Sequence, residues 1–102
     1  MNKRLVDYQE ELIKELQDPE EAQAYLNAAL EDEDERIFLL ALKNVLEAQG
    51  GDVSSLAKRS KLNRENLYRI LSKRGNPKLT SLQSILHAMG LQLAVLPYSG
   101  KK

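Results

Sequence analysis

Residues 53–74 read VSSLAKRSKLNRENLYRILSKR, and this stretch decides the fold. Its apolar residues come in three places: Leu56 with Ala57, then Leu62 alone, then Leu67, Ile70 and Leu71. The outer groups have helical spacing, and the gap around Leu62 leaves room only for a tight turn. Two short helices are expected, over residues 53–59 and 64–73, with Asn63 capping the second. Ala57 gives the small side chain needed where two helices cross steeply over so short a turn, and Leu62 plugs that turn. Lys61 falls where such turns usually carry glycine; a lysine in the left-handed region costs roughly 1 kcal/mol.

With its apolar side turned inward, the second helix points Arg64, Glu65, Tyr68, Arg69 and Ser72 outward. A helix with arginines at its exposed N-terminal end can enter a major groove, where the guanidinium fork matches the two acceptors of guanine. Lys58, Lys61, Lys73, Arg74 and Lys78 flank it within reach of phosphates. A structural helical hairpin with a solvated basic face has the same periodicity, so pattern alone leaves both readings open.

Charge is sorted along the chain although the formal net charge is zero. Residues 1–52 hold 14 acidic and 5 basic side chains; residues 53–102 hold one acid, Glu65, and 10 bases. A basic half suits a polyanion, and an acidic half repels it and attracts a basic protein. The alternative is a polar protein whose solvated charges are sorted by chance.

Further from the centre, helix signals recur. Asp7 can cap a helix carrying Tyr8, Leu12 and Leu16 on one face. Asp18-Pro19-Glu20-Glu21 is a helix start, with Pro19 at the first helical position and Glu21 as a capping-box residue; Tyr25 and Leu26 follow. Glu31 to Glu35 holds a turn with Asp34 as the next cap. The helix over residues 35–49 is apolar nearly all round and so buried on more than one side. Gly50-Gly51 ends it, and Asp52 caps the helix that follows. Thr80 is expected to cap a last helix ending at Gly90. Leu91, Leu93 and Val95 alternate, which predicts a short strand over residues 91–96; a lone strand needs a mate, which the same strand of a second copy or residues 4–6 of the N-terminus can supply.

Several chemistries find no residues. Without cysteine there is no disulfide, zinc finger or thiol catalysis. His87 has no nucleophile near it in sequence. A calcium loop opening at Asp32 would need glycine where Ile37 stands. Gly50-Gly51 lacks the lysine and hydroxyl residue of a phosphate-binding loop, and the aromatic residues are too scattered for base stacking. Lys3 and Arg4 precede no apolar run, so no signal peptide is expected, and no stretch suits a membrane span. The expectation is a cytoplasmic protein without cofactor or metal, and no enzyme.

Residues 7 to about 97 resemble the addiction-module antidote family, antitoxins with a lambda-repressor and Cro-like (XRE-type) helix-turn-helix. The likeness lies in Asp18-Pro19-Glu20 with Tyr25-Leu26, in Phe38 to Leu42, in Leu56-Ala57, and in Asn63 to Ser72 followed by Gly75-Asn76-Pro77 and Met89-Gly90-Leu91. It implies a RelE-like toxin encoded beside the chain and repression of the shared operon. The resulting expectation is an all-α protein: an acidic helical extension (1–33), a five-helix Cro-like DNA-binding domain with a short C-terminal strand (34–97), and a flexible tail (98–102). A homodimer would bind double-stranded operator DNA, reading bases through Asn63, Arg64, Glu65, Tyr68 and Arg69. Phosphates would meet Ser54, Lys58, Lys61, Ser72, Lys73, Arg74, Asn76 and Lys78. Tyr8, Leu12, Leu16, Tyr25 and Leu26 are candidate toxin anchors, or else pack the N-terminal helices onto the domain. A stand-alone repressor without a toxin and a protein-binding scaffold are the rival readings.

Overall fold

The computed structural model describes residues 3–50, 53–72 and 76–98, which form six helices: α1 (Lys3–Glu15), α2 (Pro19–Leu30), α3 (Glu35–Ala48), α4 (Val53–Ser60), α5 (Arg64–Ile70) and α6 (Leu79–Ala88). α3 is the centre of the N-terminal half, with α1 and α2 packed on it, and α4 packs on both α5 and α6. One cluster of buried side chains runs from Leu16, just after α1, through Leu42, Leu56 and Leu67 to Ile85 and Met89, with Leu12 and Ile13 of α1 packed against it.

Short polar side chains mark the helix starts, because the first four N–H groups of a helix lack backbone partners. The Asp18 carboxylate accepts from the Glu20 N–H at 3.0 Å, with Pro19 at the first helical position. This bond goes to the second helical residue, and among the described residues Glu21 makes no reciprocal bond, so the expected capping box is reduced to a simple cap. Asp34 accepts from the Arg36 N–H at 3.0 Å, and Asp32 accepts from the Asp34 N–H at 2.8 Å, so the acidic run builds its own turn. Asn63 accepts from the Asn66 N–H at 2.7 Å. Gly50 closes α3 with φ 73°. Gly90, at φ 81°, closes α6; the Leu91 N–H reaches back to the Leu86 carbonyl at 2.8 Å and the Gly90 N–H to that of His87, the Schellman pattern. Gly51 and Asp52 lie outside the described residues.

Three helix boundaries and one whole element differ from the sequence expectation. α1 begins at Lys3, so Asp7 lies within it rather than at its cap. α6 begins at Leu79, with Lys78 as the N-cap and no side-chain cap bond; Pro77 delivers an extended chain directly into the helix and leaves Thr80 inside it. α5 stops at Ile70 instead of residue 73, where the Ser72 hydroxyl donates to the Arg69 carbonyl at 2.7 Å and closes the last turn. No strand forms among the described residues: residues 91–98 are irregular. A strand is stable only when its backbone groups meet another, and every other element here is helical.

A polar bracket ties the N-terminal helices together. Asn44, buried in α3, donates to the Tyr25 hydroxyl of α2 at 2.8 Å and accepts from the Gln9 side chain of α1 at 3.1 Å. A buried amide is tolerated only when satisfied, so this pair of bonds fixes how α1 and α2 sit on α3.

Candidate nucleic-acid interface

α4 and α5 meet through residues 61–63, and Lys61 takes φ 62°, the only positive φ outside glycine among the described residues. The lysine thus adopts the left-handed conformation that such turns usually give to glycine. Leu56 and Leu67, both at most 1% exposed, anchor the two helices, with Ala57 and Leu62 partly buried beside them. Ile70 and Leu71 complete the inward side of α5.

The opposite side is a polar row. Asn63, Arg64, Glu65, Tyr68, Arg69 and Ser72 are all exposed. Neither Arg64 nor Arg69 enters an ion pair among the described residues, where the one such pair is Asp34–Arg36. The Arg64 guanidinium lies 5.8 Å from the centre of the Tyr68 ring, one turn along. Arg64 opens α5, where the helix dipole favours acids over bases. Its presence there does not serve the helix, and its side chain is exposed, with the Tyr68 ring beside it. Asn63 has its side-chain oxygen committed to the cap, which leaves its amide nitrogen for other partners.

Of the residues expected at phosphates, Lys58, Lys61, Asn76 and Lys78 are exposed and Ser54 is half-buried; Asn76 lines a hollow together with Asp32 and Glu35, a setting that does not suit a phosphate. Lys73 and Arg74 lie outside the described residues. Arg59 points away from the row: it donates to the Ala88 carbonyl at 3.1 Å, bracing the C-terminus of α6, where the dipole welcomes a cation. Sequence periodicity did not mark Arg59 or Asn44 as structural. A lone asparagine within the most apolar helix was the signal available for Asn44.

In the acidic half, Asp34 is held at a pKa of about 2, against an ordinary 3.8, because its carboxylate accepts hydrogen bonds from the Arg36 side chain and backbone. The Arg36 pKa is raised by the same pairing. The five residues considered as toxin anchors do not form one surface. Leu16 and Leu26 are 3% and 5% exposed and belong to the core; Leu12 and Tyr25 are half-buried against it; Tyr8 is 65% exposed. Two open hollows adjoin each other instead, of about 460 and 200 Å³, sharing Leu30 and Phe38 as lining. Among the described residues no cluster of three or more potential metal ligands occurs, and no helix is long and apolar enough to cross a membrane.

Residues 8–97 match the sequence profile of a family described as probable addiction module antidote protein. A relative in Haemophilus influenzae, described only as an uncharacterized protein, is 32% identical over 95 residues, covering 93% of this chain and 94% of its own length. No solved structure matches.

Proposed function

Because the chain belongs to the addiction-module antidote family, we propose that it is the antitoxin of a toxin–antitoxin pair, binding operator DNA as a homodimer and repressing its own operon. The observation that carries the DNA-binding part is the outward row of α5. Its arginines have no ion-pair partner among the described residues, on a short helix anchored by Leu67 and Ile70.

In this reading α4 and α5 are a lambda-repressor and Cro-like helix-turn-helix, and α5 lies in the major groove. Arg64 and Arg69 read guanine edges, since the guanidinium fork meets both acceptors at once. Glu65 can accept from the cytosine amino group, and Tyr68 and the Asn63 amide add contacts to neighbouring edges. Lys58, Lys61, Lys73, Arg74 and Lys78, with Ser54 and Ser72, hold phosphates and fix the register. One seven-residue helix spans few base pairs, so two copies on half-sites about 34 Å apart are needed for operator-length specificity. The acidic half faces away from nucleic acid in chemistry as well as in sequence. It suits a basic partner, here a small RNA-cleaving toxin of the RelE-like type, whose own site must attract RNA.

The test is genetic. A reporter driven by the DNA upstream of the chain's own gene should fall silent when the chain is expressed, and cells expressing the toxin encoded beside it should survive only with the chain. A silent reporter without protection from any neighbouring gene product would leave a stand-alone repressor. Protection without repression would leave a protein-binding antitoxin and refute the DNA-reading assignment of α5.

A further inference from the structure

The two adjoining hollows form one apolar groove. The larger lies between α2, the end of α6 and residues 91–96; the smaller lies between the turn at residues 31–35 and Asn76-Pro77. Phe38, Leu26 and Leu86 make a buried floor, whereas Leu30 at 52% and Leu96 at 79% exposure stand open on the rim. Leu30 ends α2 and lines both hollows, a position central to the groove. Open apolar surface of this kind is characteristic of a protein-docking site.

The rim identifies the occupant. Asp32 and Glu35 line the smaller hollow, and Glu31 and Glu33 beside them are exposed. Among the described residues none of these four carboxylates is in an ion pair. DNA is repelled by such a rim. A second copy meeting this face across a two-fold axis would bring two copies of the acidic run into one interface, with no basic side chain lining either hollow to offset them. A basic protein meets neither obstacle.

We infer that this groove is the docking site for the toxin, which inserts an apolar side chain beside Leu30 and faces Asp32 and Glu35 with lysine or arginine. The inference rests on the antitoxin reading and moves the toxin contact from the face of α1 to the C-terminal end of α2, because Leu16 and Leu26 are in the core while Leu30 is exposed. Buried apolar anchors set affinity, and the acidic rim sets encounter rate and partner choice.

The test uses the full chain and the purified toxin encoded beside its gene, with affinity measured by calorimetry and subunit mass by ultracentrifugation. Leu30→Lys keeps a good helix former at a half-exposed C-terminal position, where a cation suits the dipole. It should weaken toxin binding by about 30-fold or more, a hot-spot loss, with subunit mass and operator affinity unchanged. Glu35→Gln should slow association roughly threefold and reduce its salt dependence. Tyr8→Lys, on α1, should leave binding unchanged. Wild-type toxin affinity in Leu30→Lys overturns the inference, and so does a large loss in Tyr8→Lys. A Leu30→Lys chain that loses its dimer mass assigns the groove to a second copy and overturns it too. A wild-type chain that binds no toxin refutes the antitoxin reading itself, a failure distinct from that of the groove.

Discussion

Replacing Lys61 by glycine should make the protein more stable and a poorer DNA binder at once. Lys61 holds φ 62°, a conformation in which Cβ crowds the following carbonyl. Relief of that crowding is worth roughly 1–2 kcal/mol. Glycine also gives the unfolded chain more freedom, which offsets about 0.5–1 kcal/mol. The net gain is about 0.5–1 kcal/mol, a rise in Tm of roughly 2–8 °C for a chain of this size. Lys61 is exposed beside the start of α5, so the same change takes one phosphate-binding cation from each copy. A dimer holding two fewer phosphates should bind with a salt slope shallower by about 2. Urea melts and calorimetry give the first quantity, and fluorescence anisotropy on operator DNA across a salt series gives the second. A less stable Lys61→Gly would refute the strain argument, and an unchanged salt slope would refute the placement of Lys61 at a phosphate.

Other expectations follow from single sites. Asn44→Ala removes both bonds of the bracket between α1, α2 and α3 and should cost about 2–3 kcal/mol in a urea melt, with Tyr25→Phe costing about 1; a neutral Asn44→Ala would mean the bracket does not stabilise the fold. Arg64→Ala or Arg69→Ala should lose roughly 1–3 kcal/mol on the operator and relax base preference, whereas Lys78→Ala should weaken all sequences evenly, as competition binding would reveal. Asp34 has its folded-state pKa lowered from 3.8 to about 2, so its carboxylate stabilises the folded chain above pH 4 and ceases to do so as pH falls toward 2. The Tm gap between wild type and Asp34→Asn should therefore be constant from pH 7 to 5 and close between pH 4 and 2; a gap that widens on acidification would contradict the sign.

What could be read from sequence were features set by one residue's local chemistry. Asp18, Asp34 and Asn63 cap because a short acceptor reaches an orphan N–H, and Gly50 turns left-handed at the end of α3, whereas a sequence that puts lysine where glycine is usual leaves the conformation of Lys61 open. The exposure of Arg64, Tyr68 and Arg69 follows from the burial of Leu67 and Ile70 on the opposite side of one short helix. Features decided by tertiary neighbours were less accessible. Tyr8, Leu12 and Leu16 share a face, but only packing on α3 sends Leu16 inward and leaves Tyr8 out. Alternation at Leu91, Leu93 and Val95 reads as a strand, yet the described residues of the chain offer no edge for it to meet. Asn44 looks like an error in an apolar helix until Gln9 and Tyr25 are brought to it from distant sequence.

The claim that α5 reads DNA is tested most directly by binding of the full chain to the duplex upstream of its own gene, against a scrambled duplex, across a salt series. Five cations per copy, Lys58, Lys61, Lys73, Arg74 and Lys78, can neutralise phosphates. With all of them engaged in a dimer, the logarithm of affinity should fall against the logarithm of salt with a slope approaching about −9. The natural duplex should be preferred by roughly a thousandfold or more. Weak binding that is equal on both duplexes and flat with salt would contradict the claim, leaving the basic face of α5 as solvated surface.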